Sequence, residues 1–271
     1  MSWFRSAQRL IGEMEKQLYL KDILDVNRLT LPDFLCIGPP QCGTTWLHEN
    51  LRRHPQLFLP NTKQTHYFDR YFHRPLSFYG KKFAEGRDRI KGEITPDYCV
   101  LTDERVAFIR KLMPHARLIL IVRNPVDRAW SAARRIFSRH GVDFPNGISD
   151  SAYYDFFTND SYDYPGEYDK SMNRGDYNRI LDRWHRYFPQ EQMLVLRFED
   201  IAENPQAFLK RVFEHIGADE DVDWQRFALN SKINSNPTSV IPNRFREFLT
   251  AQYRDYFDRL DSSAESPPNV T

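Results

Sequence analysis

Three short apolar runs interrupt a chain of otherwise mixed polarity: Phe34-Leu-Cys-Ile37, Arg117-Leu-Ile-Leu-Ile-Val122 and Met193-Leu-Val-Leu196. Continuous runs of this length, bounded by turn residues, read as strands buried on both faces. Between them lie segments with helical spacing, at about 44–53, 103–113, 125–140, 174–187 and 204–216. In the first of these Trp46, Leu47, Asn50 and Leu51 fall on one face, and Pro189 and Gly217 punctuate two of the later exits. Strands alternating with helices of ten to fifteen residues predict βαβ units and an α/β fold, a parallel sheet flanked by helices in three α/β/α layers. Residues 2–26 read as an amphipathic helix carrying Leu10, Ile11, Met14, Leu18, Ile23 and Leu24. Its apolar face is expected to pack on the domain, with attachment to a membrane surface as the alternative.

Two segments break the rhythm. Residues 149–170 hold six acids (Asp150, Asp155, Asp160, Asp163, Glu167, Asp169) and seven aromatics, among them Tyr153, Phe156 and Tyr164. The tail at 262–271 contains Pro267-Pro268 and reads as frayed. No internal repeat is present, so residues 1–271 read as a single domain. A chain of 271 residues, 41% hydrophobic and 28% charged, is long enough to bury one sizeable core without staples. The balance of 38 Lys+Arg against 37 Asp+Glu gives no general attraction to nucleic acid or to an anionic membrane. Three cysteines without close pairing suggest neither a disulfide framework nor a zinc cluster. The N-terminus lacks the apolar core of a secretory signal, and no stretch approaches the roughly eighteen apolar residues of a membrane span. A cytoplasmic location is the expectation. Nothing in the sequence specifies an oligomeric state.

The chemistry begins at Gly38-Pro-Pro-Gln-Cys-Gly43-Thr44-Thr45, between the first strand and the first helix. Glycines allow a tight turn that brings backbone N–H groups to an anion, and the helix N-terminus adds about half a positive charge. A phosphate-binding, P-loop-like turn is one reading; a turn whose Gly and Thr only cap the helix is the other. A nucleotide triphosphatase loop would carry Lys where Thr44 stands, and the spacing does not match a dinucleotide fingerprint.

Gly38 to Leu47 resembles the 5′-phosphosulfate loop of sulfotransferases that use 3′-phosphoadenosine 5′-phosphosulfate (PAPS). About eighty residues on, Arg123-Asn-Pro-Val-Asp-Arg-Ala-Trp-Ser131 resembles that family's 3′-phosphate motif. Lys63-Gln-Thr-His-Tyr-Phe-Asp69, Gly92-Glu-Ile-Thr-Pro-Asp-Tyr98, Gly175-Asp-Tyr177 and Leu196-Arg-Phe-Glu-Asp200 extend the likeness over about 32–216. In motif the chain is closest to the heparan sulfate 3-O-sulfotransferase-like and bacterial small-molecule branches. The resemblance implies that Arg123 and Ser131 grip the 3′-phosphate and that Pro40, Gln41, Cys42, Gly43, Thr44, Thr45 and Trp46 line the nucleotide. It also makes Lys232 a phosphate contact in a last segment folding over the nucleotide. Arg128 and Arg134 read as solvated helix charges or partners of carboxylates.

The departures from the family pattern fall on the chemistry. Gln41 stands where Lys or Arg is usual, Gln64 where a glutamate base is usual, and Ile94 where some branches have a second Lys. An amide donates a hydrogen bond but carries no charge, and Gln64 is no base at neutral pH. His66 and Asp69 match a site histidine and a nearby acid of the 3-O-sulfotransferase branch. An imidazole suits proton transfer near neutral pH, and a histidine bonded to a loop carbonyl is the bland alternative. If 64–68 is a strand, Gln64 and His66 share a face. Lys63 is a candidate for charge at the sulfuryl group, Glu93 a second candidate base, and Cys42 reads as loop packing more than chemistry. The implied reaction is in-line displacement at sulfur, from PAPS to a hydroxyl or amine, with no metal. The 149–170 segment is the expected acceptor loop; its acids and aromatics suggest a small neutral, aromatic or cationic acceptor, against a plain solvated loop. Two other functions stay open: a PAP/PAPS-binding protein weakened or silenced by Gln41 and Gln64, and a nucleoside or sugar kinase.

Overall fold

A computed structural model describes residues 2–26, 28–86, 88–139, 173–231 and 241–254. The chain runs α1 (Ser2–Leu20), β1 (Phe34–Gly38), α2 (Thr44–Leu51), β2 (Leu57–Phe58), α3 (Leu76–Gly80), β3 (Ile90–Ile94), α4 (Asp103–Leu112), β4 (Arg117–Val122), α5 (Pro125–Arg139), α6 (Tyr177–His185), β5 (Met193–Arg197), α7 (Asp200–Glu203), α8 (Pro205–Ile216) and α9 (Asn243–Gln252). The proposed acceptor loop at 149–170, Lys232 and the 262–271 tail lie outside the described residues.

The three apolar runs became β1, β4 and β5 as expected. The sheet order is β2-β3-β1-β4-β5, and every pairing is parallel. Alternation along β1 and β4 divides the core. Leu35, Ile37, Leu118 and Leu120 face Tyr79, Ile109 and Trp184 from α3, α4 and α6. Phe34, Cys36, Ile119 and Ile121 face Leu47 of α2 and Phe208 and Phe213 of α8. The result is the three-layer α/β/α arrangement. Local chemistry sets the helix ends: Asp176 accepts from the Arg179 N–H ahead of α6, Asn204 from the Ala207 N–H ahead of α8, and Gly217 at φ 75° closes α8.

β2 and β3 escaped the sequence pattern. β3 reads Ile-Lys-Gly-Glu-Ile, with two charges and a glycine inside it. Gly92 is required there because a Cβ would lie 1.9 Å from Cζ of Phe34 on the neighbouring strand. Glu93 is tolerated because its carboxylate finds hydroxyl donors in the core.

The N-terminal helix differs from expectation. It ends at Leu20 instead of 26, where Asp22 takes a left-handed φ of 58°. Its apolar stripe also points away from the described core: Leu10 is 67% exposed and Met14 62%. Contact is made by the opposite face. A Cβ on Gly12 would lie 2.1 Å from the His73 carbonyl oxygen, so only glycine lets the backbones meet. Lys16 then donates to the carbonyls of Gly12 and Arg74 at 2.7 and 2.8 Å, and Glu15 accepts from the Leu76 N–H. Backbone complementarity outweighs the apolar stripe here. Arg128, expected as a solvated helix charge or a partner of carboxylates, is fully buried and donates to the Tyr253 hydroxyl at 3.5 Å. Cys36, Cys42 and Cys99 are free and buried. Among the described residues no helix is long and apolar enough to cross a membrane.

β1 sits between β3 and β4, so the connections leave it in opposite directions. That arrangement opens a crevice beyond the C-terminal ends of β1 and β4, the usual ligand position in an open α/β sheet.

Candidate active site

The loop after β1 occupies this crevice. Gln41 and Gly43 hold left-handed φ values of 72° and 75°, which turn the chain back to start α2 at Thr44. Gly43 has no room for a side chain: a Cβ would lie 2.5 Å from Cδ1 of Ile201. The segment after β5 therefore packs against the loop. Gly43 precedes α2 without a capping side chain, so the first N–H groups of the helix have no side-chain cap.

Two elements far apart in sequence converge on Gln41. Arg123, one residue past β4, donates from Nη1 to the Gln41 carbonyl at 3.0 Å, with its guanidinium 4.4 Å from the Phe198 ring centroid. Ser131, two turns into α5, donates to Gln41 Oε1 at 3.1 Å. The Tyr177 hydroxyl accepts from the Arg123 N–H at 3.2 Å and steadies the turn between β4 and α5. The expected phosphate grip and the expected phosphate loop are thus one site. Their donors now meet neutral acceptors, which a phosphate would replace with charge-assisted bonds about twice as strong.

Lys63 brings a cation to the same loop. Its Nζ donates to Thr45 Oγ1 at 2.7 Å and Thr44 Oγ1 at 3.2 Å, at the head of α2. Burial pushes this ammonium down to about 8. Residues 64–68 are not a strand, yet Gln64 and His66 do meet: His66 adopts a left-handed φ of 51° that folds its ring back. Its Nδ1 lies 2.8 Å from Asp69 Oδ2 and its Nε2 2.8 Å from Gln64 Oε1. Donation from both nitrogens describes the imidazolium; a half-turn of the Gln64 amide presents an N–H to the neutral ring instead.

Three candidates take structural places. Glu93 is buried in the core, not the crevice: Oε1 accepts from Thr65, from Thr95 at 2.7 Å and from Tyr98 at 2.8 Å, and Oε2 from Tyr79. Burial pushes its carboxyl up while the hydroxyls hold it down. Thr65 lies between Gln64 and His66, so Glu93 positions the segment and touches no reacting group. Glu93→Ala is expected to cost about 3 kcal/mol or more, at about 1–3 kcal/mol per stranded hydroxyl, read from denaturant unfolding; Glu93→Gln should recover part of it. Trp46 is buried edge-on to Phe208, and its indole N–H donates to the Leu229 carbonyl at 3.3 Å. Cys42 is fully buried, with its thiol pushed up to about 12, so it offers no thiolate; Pro40 borders it in the loop.

Sequence reasoning passed over Asp97 and Arg174. Asp97 follows Pro96 within the Gly92–Tyr98 motif, and that acid after Thr-Pro was the available signal. It accepts from Arg174 at 2.6 Å and Arg70 at 3.5 Å. With His66 and Asp69 it makes a three-donor cluster within 4.8 Å. The two guanidiniums already neutralise these carboxylates, so the cluster suits a metal poorly.

The family model described as Sulfotransferase domain matches residues 31–262. The chain is 32% identical over 211 residues to heparan sulfate glucosamine 3-O-sulfotransferase 3A1 of Mus musculus, covering 77% of this chain and 51% of that one. It is 30% identical over 219 residues to heparan sulfate glucosamine 3-O-sulfotransferase 6 of Homo sapiens, covering 76% and 58%. The chain thus spans little more than half the length of these relatives. A sulfotransferase structure from Alicyclobacillus acidocaldarius shares the fold at a TM-score of 0.68 and 22% identity, covering 85% of this chain and 94% of that one.

Proposed function

Because the chain belongs to the sulfotransferase domain family, we propose that it transfers a sulfuryl group from PAPS to a hydroxyl or amine of an acceptor. The observation that carries the proposal is the convergence of Arg123 and Ser131 on the Gln41 turn of the phosphate loop. Arg123 and Ser131 hold the 3′-phosphate, and the N–H groups at the head of α2 with Thr44 and Thr45 hold the 5′-phosphosulfate. The neutral His66 ring, with its Nδ1–H on Asp69, accepts the acceptor's proton at Nε2 once the acceptor displaces the Gln64 amide. The acceptor oxygen forms its bond to sulfur as the sulfur–oxygen bond to the nucleotide breaks. The electron pair leaves on the 5′-phosphate, where Lys63 faces it. Such transfer depends on positioning and electrostatics, and needs no covalent enzyme intermediate.

Lys63 and His66 favour turnover over silent binding, since they offer the cation and the base that Gln41 and Gln64 do not. The match over 31–262 supports one sulfotransferase domain. The test is calorimetric titration with 3′-phosphoadenosine 5′-phosphate (PAP), AMP and ATP. Micromolar PAP binding is expected, weakened about 10- to 100-fold by Arg123→Ala, the loss of a charge-assisted pair worth about 1.5–3 kcal/mol. AMP, lacking the 3′-phosphate, should barely respond to that substitution. Tighter binding of ATP than of PAP would sink the reading in favour of a kinase.

A further inference from the structure

A cavity of about 1280 Å³, walled by α1, α4 and the 69–73 turn, has Asp69, the hydrogen-bond partner of His66, in its lining. Pockets for drug-sized ligands run to roughly 300–1,000 Å³, so a whole small molecule fits. Its floor is aromatic, formed by Phe72 and Phe108, and two cations sit over one of these rings. The Arg105 guanidinium carbon is 3.4 Å from the Phe72 ring centroid and the Lys16 Nζ 4.8 Å from it. Lys16 is committed to two backbone carbonyls. Arg105 is not committed: no hydrogen bond or ion pair of its guanidinium exists among the described residues, and Nη1 is buried without an acceptor.

The walls carry more positive than negative charge, with five Lys or Arg against Glu13, Asp69 and Glu104. Most of these charges are already engaged: Glu13 pairs with Arg9 at 3.0 Å, Asp69 accepts from His66 and lies 3.8 Å from Arg70, Arg70 also lies 3.5 Å from Asp97, and Lys111 lies 2.7 Å from Asp22. Burial lowers both cations, Lys16 to about 8 and Arg105 from its ordinary value. A half-buried guanidinium over an aromatic floor, with Glu104 near enough to be felt but not bonded to it, is a seat for an oxyanion next to an apolar body.

We propose that this cavity is an acceptor subsite for a molecule bearing a carboxylate or sulfate group on an apolar body. Arg105 anchors the anion, Phe72 and Phe108 carry the apolar part, and the acceptor's hydroxyl passes Asp69 to reach His66. The proposal rests on the sulfotransferase reading of the adjoining site. It replaces a neutral or cationic acceptor, expected from the 149–170 segment, with an anionic one.

The test uses four eight-carbon probes on the PAP-saturated protein: octanoate, octyl sulfate, octanol and octylammonium, below micelle concentration. Calorimetry should show both anions binding at least tenfold more tightly than the alcohol or the amine. Arg105→Gln should lose that preference and Arg105→Lys keep part of it, with PAP affinity and melting temperature unchanged. With PAPS, 8-hydroxyoctanoate should be sulfated at least tenfold more efficiently than 1,8-octanediol in kcat/KM. Equal binding of the four probes, indifference to Arg105→Gln, or equal use of the two alcohols would overturn the proposal. The PAP titration separates the two claims: anions held by Arg105 in a protein blind to PAP would keep the anion seat and remove the sulfotransferase reading.

Discussion

His66→Gln is expected to lower kcat by about 10²–10⁴, the range contributed by a positioned general base, with PAP affinity unchanged. His66 bonds to Gln64 and Asp69 and to no atom of the phosphate loop through its side chain, so nucleotide binding has no reason to follow. Glutamine matches much of the imidazole's size and keeps a hydrogen bond to Asp69, but it cannot take a proton at neutral pH. Asp69→Asn should fall between wild type and His66→Gln, because it removes the charge that stabilises the imidazolium while leaving the ring in place. The readout is transfer of radiolabelled sulfate from PAPS to a panel of hydroxyl acceptors, alongside PAP calorimetry. A His66→Gln enzyme with wild-type kcat would show that the proton leaves by another route.

Lys63→Met is expected to lower kcat by about 10²–10³, more than it lowers PAP affinity. One preorganised donor or charge at a transition state is commonly worth about 3–4 kcal/mol, and in the proposed reaction Lys63, held at the head of α2 by Thr44 and Thr45, would face the oxygen that gains charge as the sulfuryl group departs. The pH profile carries a second signature. Burial holds the free ammonium at about 8, so wild-type kcat/KM should fall as pH rises through 8, by up to tenfold per pH unit. Lys63→Met should be flat there.

The sign for stability is opposite. A lysine depressed from 10.5 costs the fold stability below about 8, and the cost fades as pH climbs toward 10.5. Lys63→Met should therefore be more stable than wild type at pH 7, by at most about 3 kcal/mol and less after solvent screening. An enzyme that keeps its rate and its pH profile without Lys63 would refute the role.

Much of the fold and part of the site were written in local periodicity. Apolar runs at 34–37 and 117–122 predicted strands covered on both faces, and Gly38, Gly43 and the Thr pair, read as an anion loop or a helix cap, form the left-handed turn that starts α2. Arg123 and Ser131 were legible only through the resemblance of 123–131 to the family's 3′-phosphate motif, with which a strand end followed by two helical turns is consistent. β3 was hidden because its polar residues are satisfied by partners remote in sequence: Glu93 by Tyr79, and Gly92 by the Phe34 ring. The helix at residues 2–20 was read correctly as amphipathic and wrongly oriented, since periodicity reveals a stripe but not what meets it.

The sequence by itself determined the layers and the turn between β1 and α2, each set by neighbours within one or two elements, and through the motif it put Arg123 and Ser131 beside that turn. Only the tertiary structure decided that Lys63 reaches Thr45, that Glu93 leaves the chemistry for the core, and that Arg105 and Phe72 share a cavity beside Asp69. Those relations depend on how loops and helices pack across the sheet, and no local spacing encodes that packing.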